Sequence, residues 1–246
     1  MTRVAAVCFD VGGTLVYLDP PPEVLVADLC RDLGVLVTPE DTAAAYERAE
    51  PWFNAHAELY RTSPDQFWLR GNRVLLEQLG VADDLEARSA FITAEFPRRL
   101  GTWRTYPEVP EVLHALRGAG LPLAVVSNWD PGLIPLLERL GLREAFAVIV
   151  ASAEAGVAKP DPRIFGVALD ALGVPPGHAL HVGDLYDLDV VGAQAAGLVP
   201  VLLDRRGQPR PSVFSADGGR AYDGLRITDL RELLPIVAGA TETVQR

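Results

Sequence analysis

Lysine, cysteine and long apolar runs are all scarce in this chain of 246 residues. Lys159 is the one lysine among 22 basic residues, so arginine carries the rest of the positive charge. The two cysteines, Cys8 and Cys30, lie in a strand-like and a helix-like run, which is typical of buried free thiols. Neither cysteine belongs to a CxxC pair and the histidines are dispersed, so the spacing of a zinc site is missing.

Positive charge is in deficit as well. The chain has 33 acidic and 22 basic residues, a net charge of −11, which disfavours binding to a nucleic-acid backbone. The longest apolar runs, such as 121–127 and 146–151, are far shorter than the roughly 20 residues that span a bilayer. The first residues do not have the pattern of a secretory signal. We therefore expect a cytoplasmic protein whose partner is neither nucleic acid nor a membrane.

Five short apolar runs predict parallel strands. They cover residues 4–9, 123–126, 147–151, 179–183 and 199–203, and such near-continuous hydrophobicity is typical of strands buried on both faces. Helix-period stretches lie near 110–117, 132–140, 163–172, 188–196 and 229–237. This alternation predicts an α/β domain with a doubly wound, Rossmann-like parallel sheet, formed by residues 1–17 and 104–246. A polar, Gly- and Pro-rich stretch at 204–219 predicts a surface loop.

Residues 18–103 break the alternation and contain no strand-like run. They hold four candidate helices, at roughly 21–33, 39–61, 64–80 and 84–99. Two of these have start signals, Thr38-Pro39-Glu40-Asp41 and Ser63-Pro64-Asp65-Gln66; in the second, Ser63 can cap the helix and Gln66 can close a capping box. The segment therefore predicts a helical domain inserted after the first strand.

Polar side chains stand where the predicted strands end, at the edge where open parallel sheets bind ligands. Asp10, Ser127 and Asp184 each follow a strand, and Lys159 lies in the loop after another strand. Carboxylates at this density suit a hard divalent cation such as Mg²⁺, which prefers few protein oxygens together with water and substrate phosphate. The sequence thus predicts a polar, metal-binding site at this edge.

The segments that hold these residues resemble the four ordered motifs of the haloacid dehalogenase-like hydrolase superfamily. The order matches over essentially the whole chain, and the inserted helices are similar to the small helical cap of that family. The motifs are Phe9-Asp10-Val11-Gly12-Gly13-Thr14-Leu15, Val126-Ser127-Asn128, Lys159-Pro160-Asp161-Pro162, and Val182-Gly183-Asp184 with Asp189 five residues later.

The resemblance implies a Mg²⁺-dependent hydrolase of a small phosphate monoester. Asp10 would be the nucleophile that takes the phosphoryl group as an aspartyl phosphate. Ser127 would bind phosphate oxygens, and Lys159 would balance the charge of the nucleophile and the transferring group. The remaining implied roles are substrate binding by Asn128, with its backbone, and by Trp129 at the pocket mouth; metal binding by Asp10, the Gly12 carbonyl and Asp184; and support of the metal or of Lys159 by Asp189, ranked above the nearby Asp187.

Gly12 departs from the family pattern. Phosphatases of this family usually read Asp-x-Asp-Gly-Thr, and their second Asp protonates the leaving oxygen and later activates water. Loss of such an acid/base commonly costs about 10²–10⁴-fold in rate. Three outcomes are open: a slow phosphatase or one restricted to good leaving groups, a substitute acid from the cap or a water, or a catalytically weak protein that binds phosphate ligands.

Other reactions agree less well with the residues. Dehalogenases of 2-haloacids also lack the second Asp, but Gly183-Asp184 resembles the metal-binding form of the last motif, and those enzymes work without metal. Phosphonate-cleaving relatives need a cap lysine, and residues 18–103 contain none. Sugar kinases also read Asp-x-Gly-Gly-Thr, but antiparallel strands would follow it there. His181 is interpreted as a core histidine, and Trp52, His56 and Tyr60 as a packing seam on one helix face.

Overall fold

The computed structural model describes residues 3–205 and 222–242. These residues form two compact units, one containing residues 3–17, 104–205 and 222–242 and the other containing Leu18–Trp103. Of the loop predicted at 204–219, only Asp204 and Arg205 lie among the described residues. No helix in the described part of the chain has both the length and the apolar character of a membrane span.

Eight strands are described, and six of them form one parallel sheet. In chain order they are β1 (Ala6–Phe9), β2 (Val16–Asp19), β3 (Thr102–Thr105), β4 (Leu123–Ser127), β5 (Val148–Ala151), β6 (Ala179–Gly183), β7 (Val199–Leu203) and β8 (Leu225–Ile227). The sheet order is β5-β4-β1-β6-β7-β8, with every neighbouring pair parallel. The strand order reverses at β1, so the predicted doubly wound α/β fold is confirmed.

The helices of the unit Leu18–Trp103 are α1 (Pro22–Asp32), α2 (Pro39–Ala55), α3 (Ala57–Thr62), α4 (Pro64–Gln78) and α5 (Leu85–Glu95). The single helix expected over 39–61 is wrong, because the backbone leaves helical geometry at His56, with ψ near 17°. The start of α2 is a reciprocal capping pair: the Asp41 amide donates to Thr38 Oγ1 over 3.1 Å, and the Thr38 amide donates to Asp41 Oδ2 over 2.9 Å. The cap expected from Ser63 is also wrong, since its side chain makes no capping hydrogen bond at the described start of α4.

Aromatic rings fill the seam between α2, α3 and α4. Trp52 stacks on His56 with ring centres 4.2 Å apart, and Phe67 lies within 6 Å of the rings of Trp52, Phe53 and Tyr60. These contacts agree with the packing role expected for Trp52, His56 and Tyr60. The expectation that residues 18–103 contain no strand is wrong at the two ends of that segment, because β2 and β3 extend into it and form a separate two-stranded sheet.

The helices of the sheet-containing unit are α6 (Val109–Gly118), α7 (Leu133–Arg139), α8 (Ser152–Ala155), α9 (Pro162–Leu172), α10 (Val191–Ala195) and α11 (Leu233–Glu242). Alternation along each strand sends side chains to opposite faces of the sheet, and both faces are buried. One face forms a core with α9, built from Ala6, Cys8, Ala124, Val126, Ile164, Phe165, Ala168 and Leu169. Strands buried on both faces are near-continuously apolar, which is why they were recognisable in the sequence.

The strand register brings the polar residues to one level. Phe9 pairs with Val125 on one side and Val182 on the other, so β1, β4 and β6 end within about two residues of the same level. The residues that follow these three strands therefore lie at one edge of the sheet.

Candidate active site

Asp10 lies directly after β1 and is buried. Its amide donates to the Val182 carbonyl over 2.9 Å, which extends the sheet pairing by one residue. Its Oδ1 accepts hydrogen bonds from Lys159 Nζ at 2.6 Å and from Ser127 Oγ at 3.0 Å. Burial raises the pKa of the Asp10 carboxyl above its ordinary value, and the Lys159 ammonium limits that rise.

Lys159 bridges two carboxylates. Its side chain is buried, with the residue 4% exposed, and Nζ lies 2.6 Å from both Asp10 Oδ1 and Asp189 Oδ1. Burial alone would lower the pKa of the ammonium, but the two carboxylates raise it above the usual lysine value. The lysine therefore carries its positive charge inside the site.

Asn128 fixes the loop that carries Lys159. Its side-chain oxygen accepts from the Lys159 amide over 2.7 Å, and its side-chain nitrogen donates to the Lys159 carbonyl over 3.0 Å. These two bonds link the end of β4 to the loop after β5. The resemblance implies that Asn128 binds substrate with its backbone. In the structure, its side chain holds the backbone of Lys159.

Asp184, which follows β6, packs against the loop after β1. Gly13 has φ +77°, and a Cβ at that position would lie 2.1 Å from Asp184 Oδ2. Thr14 Oγ1 donates to Asp184 Oδ1 over a long 3.5 Å. Glycine is therefore required at residue 13 both by the left-handed backbone and by the close approach of this carboxylate.

Asp189 is held from three sides. Besides Lys159, its Oδ1 accepts from His181 Nε2 at 2.8 Å, and its Oδ2 accepts from the Leu185 amide at 3.0 Å. Burial opposes ionisation, but Lys159 and His181 hold the pKa of this carboxyl below its ordinary range. The helix expected over 188–196 begins with a wide π-helical turn at Tyr186–Val190, and this turn places Asp189 in the site while Asp187 stays half-buried.

The acidic residues form a cluster suited to a cation. One oxygen from each of Asp10, Asp184 and Asp189 lies within 4.8 Å of the others. Three buried carboxylates beside a single ammonium form an oxygen-rich, net negative group, the donor chemistry that Mg²⁺ prefers. The structure thus brings together Asp10, Ser127, Lys159 and Asp184, which stand at the ends of strands or lie in the loop after one, and places Asp189, named only by the resemblance, beside them.

Gly12 and Trp129, which were also predicted to belong to the site, are near these residues in the amino-acid sequence. Gly12 lies in the tight turn after β1 and forms a backbone bridge with Val16. Trp129 is half-buried, and its amide donates a hydrogen bond to Ser152 Oγ over 3.1 Å. Sequence reasoning did not detect the bond from His181 to Asp189 or the bond from buried Arg205 to the Thr14 carbonyl, because neither residue type at these positions carries a motif signal.

The family model of the haloacid dehalogenase-like hydrolases matches residues 4–197, and the chain belongs to this family of hydrolases. The resemblance inferred from the four motifs is thereby confirmed.

Individual relatives span nearly the same length. The chain is 31% identical over 244 residues to a phosphoserine phosphatase of Thermus thermophilus, a match covering 91% of this chain and 95% of that protein. It is 35% identical over 208 residues to haloacid dehalogenase-like hydrolase domain-containing protein 3 of Bos taurus, covering 79% and 80%. A solved HAD phosphatase from Thermococcus onnurineus superposes with a TM-score of 0.57 at 26% identity, covering 97% of this chain and 99% of that one.

Proposed function

We propose that this protein is a Mg²⁺-dependent phosphatase that hydrolyses a small phosphate monoester through an aspartyl phosphate on Asp10. The observation that carries the proposal is the contact of Lys159 and Ser127 with the same oxygen of Asp10. These donors favour the ionised carboxylate that a nucleophile needs, and Oδ2 takes part in neither bond. The phosphatases among the relatives support a phosphoryl substrate over a haloacid.

The residues around Asp10 suggest how the metal and the phosphate would be held. Asp10, Asp184 and the Gly12 carbonyl would bind Mg²⁺, and Asp189, which Lys159 and His181 already hold, would support this arrangement without direct ligation. A bound Mg²⁺ would offset the negative charge of the phosphoryl oxygens. Once a substrate is bound, Ser127 and Lys159 would donate hydrogen bonds to those phosphoryl oxygens in place of their present bonds to Asp10.

The reaction proposed for Asp10 has two steps. Asp10 attacks phosphorus, the ester P–O bond breaks, and the leaving oxygen takes up a proton as an alcohol. Water then attacks the aspartyl phosphate, giving phosphate and restoring the carboxylate. Gly12 offers no carboxyl for either proton transfer, so we propose that the enzyme prefers substrates whose leaving oxygen is weakly basic.

Hydrolysis of an aryl phosphate, with Mg²⁺ and with EDTA, tests the proposal. Wild type should turn over only with Mg²⁺, and Asp10→Asn should be inactive because an amide is a poor nucleophile. An Asp10→Asn variant as active as wild type would overturn the mechanism. Phosphoserine, phosphoglycolate and sugar phosphates then survey the substrate class, and halide release from a 2-haloacid that persists in EDTA would favour dehalogenation instead.

The variant Gly12→Asp tests the weak-binder alternative. If Gly12 limits only the proton transfers, the added carboxyl should raise the rate most for substrates with strongly basic leaving oxygens. A wild type that is silent on every phosphate ester, together with an active Gly12→Asp variant, would show a ligand-binding protein. Ordinary turnover by wild type would exclude that alternative.

A further inference from the structure

Arg205 is a buried arginine that belongs to none of the four motifs. It lies two residues after β7 and is 1% exposed, among the largest fully buried side chains of the described chain. Its guanidinium carbon lies 3.7 Å from the centre of the Tyr106 ring, and its Nη2 lies 2.5 Å from Glu108 Oε1. Both members of this ion pair are buried.

The same guanidinium reaches the loop that follows Asp10. Arg205 Nη2 donates to the Thr14 carbonyl over 2.8 Å. The neighbouring Leu15 carbonyl accepts from the Tyr106 amide over 3.1 Å. Residues 14 and 15 are thus anchored through their backbone by Arg205 and Tyr106, while the Thr14 hydroxyl contacts Asp184.

Stability is a poor explanation for this arrangement. A buried ion pair often contributes no more than well-packed apolar side chains of similar volume, because desolvating both charges opposes their attraction. An apolar side chain could not, however, donate to the Thr14 carbonyl. The planar guanidinium can lie on an aromatic ring, pair with a carboxylate and donate to a carbonyl at the same time, which a lysine cannot do.

We propose that Arg205 is a positioning residue for the active site. It fixes the Thr14 peptide, and through it keeps Gly13 and the Thr14 hydroxyl against Asp184. The carboxylate that would bind the metal is then held in one orientation. The effect on turnover rests on the proposed function, but the effects on metal binding and on the loop itself do not.

The variants must separate positioning from folding. Arg205→Met alone would leave Glu108 buried without its partner, so the test uses Arg205→Met combined with Glu108→Gln, which removes both charges. Arg205→Lys keeps the charge without the planar group. The matched control removes the neighbouring ion pair in the same way, by combining Arg226→Met with Asp204→Asn: Arg226, on β8, pairs with buried Asp204, the residue before Arg205, at 3.0 Å.

Three measurements are compared: Mg²⁺ affinity by calorimetry, kcat and KM with an aryl phosphate, and amide hydrogen exchange of residues 10–16 in the metal-free protein. We expect the double variant to bind Mg²⁺ and to turn over about tenfold to a hundredfold less well, with KM within about twofold of wild type. Exchange in residues 10–16 should be faster. Arg205→Lys should lie between wild type and the double variant, and the control that combines Arg226→Met with Asp204→Asn should match wild type in all three measurements.

The outcomes separate this inference from the proposed function. If wild type fails to hydrolyse any phosphate ester, the function is wrong, while Mg²⁺ affinity and hydrogen exchange still decide the role of Arg205. A double variant with wild-type Mg²⁺ affinity and wild-type exchange in residues 10–16 overturns the inference. Equal losses in the control that combines Arg226→Met with Asp204→Asn would also overturn it, because they would reflect a general weakening near β7.

Discussion

Gly13 and Gly120 have the same backbone conformation in different surroundings. Both have φ +77°, but a Cβ at Gly13 would overlap Asp184, whereas a Cβ at Gly120 would meet no atom within 4 Å. Substituting alanine at the two positions therefore distinguishes two effects. One is the backbone strain of a left-handed alanine, about 1–2 kcal/mol, and the other is the displacement of the Asp184 carboxylate.

We expect Gly120→Ala to lose about 1–2 kcal/mol of unfolding free energy and to keep its Mg²⁺ affinity. Gly13→Ala should lose Mg²⁺ binding and turnover as well, because Asp184 must move. Urea unfolding and calorimetry measure the two effects. Wild-type Mg²⁺ binding by Gly13→Ala would show that Asp184 does not hold the metal.

Asp189 and Asp187 offer a second comparison, within one turn. Asp189 accepts from Lys159, His181 and Leu185, and Asp187 is half-buried two residues away. We expect Asp189→Asn to lower kcat about tenfold to a hundredfold, since Lys159 would lose one of its two carboxylates. Asp187→Asn should stay within about twofold of wild type. Equal effects of the two substitutions on kcat would show that kcat depends on the turn as a whole and not on the Asp189 carboxylate.

At the scale of helices, Thr38 and Ser63 look alike in sequence and differ in structure. Each precedes a proline at a helix start, but only Thr38 makes a side-chain capping bond. We expect Thr38→Ala to reduce the free energy of unfolding by about 1 kcal/mol and Ser63→Ala to change it little. Chemical denaturation at neutral pH measures both, and equal losses would contradict the assignment of the cap.

The same cap has a pH dependence of known sign. Hydrogen bonds from the Thr38 amide and side chain hold the pKa of Asp41 below its ordinary value. A carboxyl with a lowered pKa in the folded state stabilises that state above its ordinary pKa, and the contribution is lost as pH falls through the folded pKa. The stability difference between wild type and Asp41→Asn, a variant that keeps Thr38, should therefore shrink in acid. A difference that is constant down to pH 2 would show that Asp41 takes no part.

The elements best predicted from the sequence are the strands whose burial shows as a short run of apolar residues. The strands that lead to Asp10, Ser127 and Asp184 are buried on both faces, so their nearly continuous apolar runs located them. The strand β8 has three residues and is defined by pairing with β7, which no local pattern records. The π-helical turn at Tyr186–Val190 likewise accompanies the bonds of Asp189 to Lys159 and His181, which are distant in sequence from that turn or lie outside it.

At the scale of the molecule, the carboxylate cluster should link metal binding to stability. Asp10, Asp184 and Asp189 repel one another, and a cation bound only by the folded state stabilises it. Mg²⁺ at a hundred times its dissociation constant should add about 2.7 kcal/mol to the free energy of unfolding. Thermal unfolding with Mg²⁺ and with EDTA should show this in wild type and not in Asp184→Asn. An equal shift in that variant would place the metal elsewhere.

The sequence predicts the site residues that follow strands. It does not predict a residue that acts by holding the backbone of a distant loop. Asp10, Ser127, Lys159 and Asp184 stand at positions that a parallel sheet brings together. Arg205 also follows a strand, but it is one of many arginines, and its bond to the Thr14 carbonyl depends on the position of a loop about 190 residues earlier. Such long-range backbone contacts have no sequence signature.

The buried position of the chain's only lysine leaves the folded surface without a side-chain amine. Acylating reagents that need an accessible, unprotonated side-chain amine would find none on the native fold. Lys159 would be acylated only when the site opens, so the extent of lysine labelling would report exposure of Lys159 directly.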